Sequence, residues 1–377
     1  MPHRRLVDHS RGSTDQPLCY YWDRHRQAWD KANRLRGHSW HGFLPSDREL
    51  HLWPVDPPVS LGGRLKHWLR ERRDRLLADV QIDCLVDLSR NEPAISAAWH
   101  RLDPARVTAY PSALCDLLIA ARREGRRINR GSLRRVFLTG EVTFEWQKEL
   151  IEASLQVTVA QSYGVQEVGA IAFTCSHGSW HVAAESVVIE IVRDGRPAAP
   201  GELGEIVATG LESRAMPLIR YCTGDVVRVT PVRCQCGLGL PCLPPVLGRV
   251  GDFLEGGDGR WHEPAAVVAC LGEVLENGRF QVVQSAEGGV DIRVAWPAER
   301  VLAVASLVEQ RMQRLLGGSA QCQVRPVSAL ERTPYGKLRY VQSARSRTGL
   351  AHRLGSGSRP CPAPFTTPVM LSNRPRC

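Results

Sequence analysis

Leu138-Thr139-Gly140-Glu141, Ser162-Tyr163-Gly164-Val165-Gln166-Glu167, Tyr221-Cys222-Thr223-Gly224-Asp225 and Gly248-Arg249-Val250-Gly251-Asp252 follow one another within residues 137–252. Each block sets glycines, which let backbone approach a ligand closely, beside a carboxylate, tyrosine or arginine that grips polar groups. Taken singly, each reads equally as a strand running into a turn. Taken in order, with Pro334-Tyr335-Gly336-Lys337 downstream, they describe a nucleotide pocket.

Around this stretch the composition is that of a globular chain. Its 377 residues, 43% apolar, hold one large domain and a small one. No apolar run approaches the ~20 residues of a membrane helix, and Met1-Pro2-His3-Arg4-Arg5 leads into no signal-length apolar segment, so a cytoplasmic protein is expected. The 12 cysteines, in a chain this long, suggest reduced thiols and a metal site rather than a disulfide framework. Much of the net charge of +10 sits in the tail, at Arg345, Arg347, Arg353, Arg359, Arg374 and Arg376. A second basic cluster, Arg64 to Arg75, is interleaved with Glu71 and Asp74 and reads as a solvated helix face. Without interleaved aromatics or a recognisable motif, specific nucleic-acid binding is not expected.

The segments alternate as in an α/β layer. A helix is expected over 20–36, ended by Gly37, then a strand at Glu49–Trp53 and a basic helix over 61–77. Tyr110-Pro111-Ser112 opens another helix with Leu114, Leu117, Leu118 and Ala121 on one face. Ser112 lacks a Gly-x-Ser-x-Gly elbow and is read as a helix cap. The strand Arg135–Leu138 delivers Gly140 and Glu141, Thr143 caps the next helix, and the strand Val157–Ala160 delivers Ser162 to Gly164. In an open parallel sheet such loops line the ligand crevice, which puts these two turns at a bound ligand. Beyond Gly251, strands at 280–284, 290–296 and 321–327 and a helix over 299–316 form a compact α+β unit. Near the start, His9 to Pro17 has the hydroxyls and glycine of a phosphate-wrapping loop, including Ser13 and Thr14. From Ser343 the composition turns to Arg, Ser, Gly and Pro, and a disordered tail is expected.

The ordered set resembles the adenylate-forming superfamily of acyl-CoA synthetases, nearest its phenylacetate-CoA ligase-like branch, over roughly residues 9–342. The resemblance implies a truncated large AMP-binding domain (1–250), a small α+β domain (251–342) and a tail (343–377), because relatives carry a longer stretch ahead of the phosphate loop. It implies ATP-dependent, AMP-forming acid-CoA ligation with ATP, Mg²⁺ and CoA. The partners implied are a small carboxylic acid, ATP and CoA, with no membrane and with homodimerisation open. Lys337 would enter between carboxylate and α-phosphate, Glu167 would hold Mg²⁺, and Tyr163 would stack on or line the adenine pocket beside Gly164. Gln166 stands where threonine is usual and would reach an α-phosphate oxygen. Asp225 would accept both ribose hydroxyls, Arg249 would add a ribose or phosphate contact, and Gly251 would be the hinge. Arg11 and Asp15 depart from the usual loop form Ser-Gly-Ser/Thr-Thr-Gly-x-Pro, with Asp15 adding negative charge beside a phosphate. Two other outcomes stay open: a catalytically impaired relative that binds nucleotide, and an adenylating enzyme with an acceptor other than CoA. Cys175-x-His177-x-x-x-His181 and Cys234-x-Cys236-Gly237 form two half-sites with the donor types of structural zinc. In some relatives the corresponding ligands are Cys175, His181, Cys234 and Cys236, with His177 the rival.

Overall fold

The computed structural model describes residues 6–9, 19–55, 79–85, 88, 90–129, 131–318, 320–346, 350 and 354. The helix expected over 61–77, and Ser13, Thr14 and the rest of 10–18, lie outside them. Strands Leu6–His9 and Cys19–Trp22, on either side of 10–18, pair antiparallel.

An eight-stranded sheet runs in the order Cys242–Leu243, Trp180–Val182, Gly169–Thr174, Thr158–Val165, Arg135–Leu138, Arg106–Ala109, Glu49–Trp53 and Asp79–Asp83. The last five are parallel. Because side chains alternate across a strand, Leu50, Leu52, Val107, Ala109, Val136 and Leu138 point to one face. There they pack with Leu114, Leu117, Leu118, Ile151 and Leu155 of helices α3 (Pro111–Arg123) and α4 (Glu145–Leu155). The same face takes Ile95 and Trp99 from α2 (Glu92–Leu102).

The opposite face carries Glu49, His51, Arg106, Thr108 and Phe137 and meets helix α1 (Arg24–Ser39), whose His38 ring stacks on Phe137 at 3.9 Å. Tyr20 belongs to a strand and α1 starts later than expected, because Asp23 Oδ1 accepts from the Arg26 N–H at 2.9 Å and caps it. Gly37 does not end the helix. A Cβ there would lie 2.5 Å from the Phe173 ring, so glycine permits α1 to press on the sheet. Two capping expectations are likewise corrected: Tyr110 and Phe144 occupy the N-cap positions of α3 and α4, not Ser112 and Thr143. The Phe144 N–H donates to Gln147 Oε1 at 3.0 Å, the half of a capping box that involves no hydroxyl.

A five-stranded antiparallel sheet, Arg196–Pro197, Val187–Arg193, Leu203–Gly210, Tyr221–Arg228 and Val246–Arg249, follows. Its last strand runs into a single 3-10 turn, Val250–Asp252. Beyond the turn a four-stranded sheet, Cys322–Pro326, Val290–Val294, Phe280–Gln284 and Val341–Ser343, packs on α5 (Pro264–Leu275) and α6 (Ala298–Leu316). Ser343, the expected start of the tail, closes the last strand, Ser346 is fully buried, and Leu350 and Leu354 pack with Val226 and Phe253, while the rest of the expected tail lies outside the described residues. No helix among the described residues is long and apolar enough to cross a membrane.

Candidate active site

The carboxyl ends of the parallel strands, the five-stranded sheet and the loop 332–340 enclose one cleft of about 1040 Å³. Gly140, Glu141, Tyr163, Gly164, Gln166, Glu167, Asp225, Arg249 and Lys337 all line it.

At the end of Arg135–Leu138, Gly140 adopts φ +80°, and a Cβ would stand 2.4 Å from the Tyr110 ring. Only glycine fits both demands. Glu141 follows and takes three hydrogen bonds: the Ser112 N–H donates to Oε2 (2.9 Å), and the Ser112 hydroxyl and the Leu338 N–H donate to Oε1 (2.8 Å each). Burial pushes its carboxyl above the ordinary range despite these donors. One side chain thus joins the start of α3 to the loop carrying Lys337. Arg332 strengthens the join, donating to Asp116 and, at 3.1 Å, to Ser112 Oγ.

At the next strand end, Gly164 is forced by the Gly169 carbonyl, which a Cβ would approach to 2.6 Å. Tyr163 donates its hydroxyl to Asp225 Oδ2 at 2.7 Å. Asp225 is buried, which raises its carboxyl pKa against the opposing pull of Arg249 and Tyr163. Arg249 stands with Nε 3.5 Å from Asp225 Oδ1 and donates Nη2 to the Thr223 carbonyl at 2.9 Å. Glu167 hydrogen-bonds the Tyr221 hydroxyl. The Gln166 carbonyl accepts from Arg26, a buried guanidinium of α1.

Lys337 approaches from the loop pinned by Pro334 and by Gly336 (φ +77°), where the Gly336 N–H donates to the Thr333 carbonyl at 2.8 Å. Its Nζ lies 5.6 Å from the Tyr110 ring centroid. Burial lowers its ammonium pKa, while Glu141, Asp225 and Glu167 pull it back up and Arg249 opposes them. A cation, Lys337, and three carboxylates, Glu141, Glu167 and Asp225, therefore converge on one cleft. Gly251, the expected hinge, lies in the 3-10 turn, where its carbonyl accepts from Arg339 at 3.0 Å.

Cys175, His181, Cys234 and Cys236 gather with all ligand atoms within 4.8 Å, and His177 lies outside the group. Cys175 Sγ is 3.6 Å from Cys234 Sγ and Cys236 Sγ is 3.2 Å from His181 Nε2. The first gap is too long for a disulfide of about 2 Å. It matches the tetrahedral edge of about 3.7 Å that Zn–S bonds of about 2.3 Å imply. His181 Nδ1 stands 3.3 Å from the Leu240 carbonyl, which leaves Nε2 toward the cluster.

Sequence reasoning missed the Ser112–Glu141–Leu338 junction, Arg332–Asp116, Arg26, and the polar floor formed by His51, Thr108 and His38. Arg332 lies two residues before the quoted Pro334–Lys337 stretch, but its partner is 216 positions away. His51 and Glu49 alternate with Leu50 and Leu52, a pattern that marks a polar face on a strand otherwise buried.

No family model matches the chain. It is 29% identical over 197 residues to the phenylacetate-coenzyme A ligase of Thermus thermophilus, covering 50% of this chain and 44% of the relative. It is 31% identical over 161 residues to that of Escherichia coli, covering 40% and 36%. The matched segments thus span less than half the length of either relative. Among solved structures, 2-hydroxyisobutyryl-CoA ligase in the postadenylation state in complex with R3-HIB-AMP superposes with a TM-score of 0.69 at 19% identity, covering 93% of this chain and 76% of that one. In sequence the chain is similar to phenylacetate-coenzyme A ligases over part of their length, and it shares the fold of an adenylate-bound CoA ligase.

Proposed function

We propose that this protein activates a carboxylic acid with ATP, forming an acyl-adenylate and pyrophosphate, and then passes the acyl group to CoA. The observation that carries the reading is the placement of Lys337, from beyond the 250–252 turn, in one cleft with Glu141, Glu167, Asp225 and Arg249. Two anions, the acid's carboxylate and the α-phosphate, must meet there, and a cation in a partly dehydrated site offsets the charge that grows as they join.

Adenine would lie between the Gly140 turn and the end of the strand carrying Tyr163, and Asp225 would accept the ribose hydroxyls beside Arg249. Tyr163 holds one Asp225 oxygen from the opposite side, which fixes the carboxylate's direction. Gln166 would reach an α-phosphate oxygen, while Arg26 on its carbonyl fixes the turn. Glu167 suits Mg²⁺, a hard cation that takes one or two carboxylates plus substrate phosphates. When bound, Mg²⁺ would supply further neutralisation of phosphate charge. Ser13 and Thr14 would donate to phosphates from their loop.

In this reading residues 1–250 and 251–342 are the two working bodies, with Gly251 their hinge. Glu141–Leu338 and Arg332–Asp116 hold Lys337 in the cleft, and their release would swing Lys337 out and admit CoA. Cys175, His181, Cys234 and Cys236 would hold a structural zinc, since four protein donors leave no open position. The protein would work in the cytoplasm.

Acid-dependent exchange of labelled pyrophosphate into ATP, across aryl and fatty acids, tests the reading. Exchange with CoA thioester formed on adding CoA supports it. Exchange without thioester points to a different acceptor, and ATP binding without exchange with any acid points to a relative that does not turn over.

A further inference from the structure

The floor of the cleft is stepped, and its steps have different chemistry. On one face of parallel strands, residues two apart sit about 7 Å apart, and register partners stand side by side. His51 is registered with Thr108, and Glu49 with Arg106. Nearest Lys337 is an aromatic step: the Tyr110 centroid is 5.6 Å from Lys337 Nζ and 4.6 Å from that of Trp53. One step deeper stand His51 and Thr108, which line the cleft with Gln81, the register partner of His51, and with Asp79, which is registered with Glu49 and reaches His51 with its carboxylate. Beneath these, outside the cleft lining, lies a buried ion pair, Arg106 Nε to Glu49 Oε2 at 2.8 Å.

The second step is rich in acceptors. His51 Nε2 stands 2.9 Å from Asp79 Oδ1 and 3.5 Å from Glu49 Oε1, and the Thr108 hydroxyl donates to Glu49 Oε1 at 2.7 Å. Each charge here has an opposite or titratable partner, so the step offers hydrogen-bonding capacity rather than a lone charge. The Asp79 side chain keeps 45% of its surface exposed, and its carboxylate has lone pairs to spare. A bare phenyl or alkyl end covering this step would strip water from those acceptors without replacing it, which is unfavourable.

Resting on the acid-activating reading above, we propose that the substrate is an aromatic carboxylic acid bearing a hydroxyl or amino group on the ring carbon remote from its carboxyl. Its carboxylate meets Lys337, its ring lies on Trp53 and Tyr110, and the substituent donates to the Asp79–His51 step. One rung of the sheet is the reach of a benzene ring with its para substituent.

The test uses non-hydrolysable acyl-sulfamoyl adenosines in matched pairs, benzoyl against 4-hydroxybenzoyl and 4-aminobenzoyl, titrated calorimetrically into the purified chain. The substituted analogues should bind at least about tenfold more tightly, as sites built to hydrogen-bond a substituent discriminate against its absence. Asp79→Ala, which leaves the Glu49–Arg106 pair intact, and His51→Phe should each erase that ratio while the benzoyl analogue still binds. Equal or weaker binding of the substituted analogues, or a ratio that survives both variants, overturns the inference and leaves the ligase reading standing. Failure of every analogue to bind overturns both.

Discussion

Replacing Glu141 with glutamine isolates the contact by which the sheet-bearing body holds the Lys337 loop. Its two oxygens serve three donors: Oε1 takes the Leu338 N–H and the Ser112 hydroxyl, and Oε2 takes the Ser112 N–H. A glutamine side chain has one oxygen. If it serves Leu338, its amide group faces the Ser112 N–H, and if it serves Ser112, the amide faces the Leu338 N–H. The hydroxyl can rotate to accept, but one backbone donor always loses its partner. The surviving bonds fall from charged to neutral strength. Hydrogen bonds to charged groups contribute roughly 1.5–3 kcal/mol, so a loss of ~2 kcal/mol is expected. Burial already opposes the charge on Glu141, which argues against the upper end. Such a loss corresponds to about a 30-fold shift in the equilibrium that places Lys337 in the cleft. Single-turnover pyrophosphate release should slow by roughly that factor, while transfer to CoA from supplied acyl-adenylate, which needs Lys337 withdrawn, should be nearly unchanged or faster. Equal slowing of both half-reactions, or no slowing of the first, would refute the reasoning.

Gly140→Ala introduces a Cβ 2.4 Å from the Tyr110 ring at φ +80°, and denaturant titration should show it destabilised by at least about 1–3 kcal/mol. Burial, against the attraction of Glu49, lowers the His38 pKa to about 3; for Glu49, burial pushes upward but His51, His38, Arg34 and Arg106 outweigh it and bring the carboxyl to about 2. Both folded values lie below their unfolded ones, so the stability they contribute is complete above about pH 6.5 and 4.5 respectively and drains as pH falls toward those folded values. Urea titrations at stepped pH should show a loss approaching 1.4 kcal/mol per pH unit for each group, with the limb between pH 6.5 and 4.5 flattened in His38→Gln; a stability independent of pH there contradicts the burial of a neutral imidazole. Elemental analysis of the purified protein should find about one zinc per chain, lost together with thermal stability in Cys234→Ser/Cys236→Ser, and a metal content unchanged by that double variant would remove the proposed site.

Much of the fold was legible where local chemistry acts over a few residues. The strands at 49–53, 135–138 and 280–284 and the helix reaching Leu316 lie where periodicity placed them, because apolar alternation and the 3.6-residue stripe are themselves the packing constraint. Gly37 was misread for the opposite reason: its meaning comes from Phe173, more than a hundred residues away, and a glycine that ends a helix looks the same in sequence as one that admits a neighbouring ring. Ser112 and Thr143 failed as caps because Tyr110 with Pro111 and Phe144 with Gln147 set those helix starts instead. Leu350 and Leu354 pack with Val226 and Phe253, a contact that the polar, glycine-rich composition around them does not announce. The ordered glycine blocks did converge on one cleft, because three of them lie at strand ends and the fourth, Tyr221–Asp225, opens a strand paired with Val246–Arg249. The polar floor did not announce itself, since Glu49 and His51 need Arg106, Thr108 and Asp79 beside them before the pattern means anything.

The central claim is that Lys337 acts as the cation that lets a carboxylate approach the α-phosphate. Acid-dependent pyrophosphate–ATP exchange compared between the unmodified protein and Lys337→Ala tests it most directly. The account predicts exchange in the first, a fall of roughly 10²–10³ in the second, as for removal of one transition-state donor, and nucleotide binding kept in both. Exchange that persists undiminished in Lys337→Ala would contradict it.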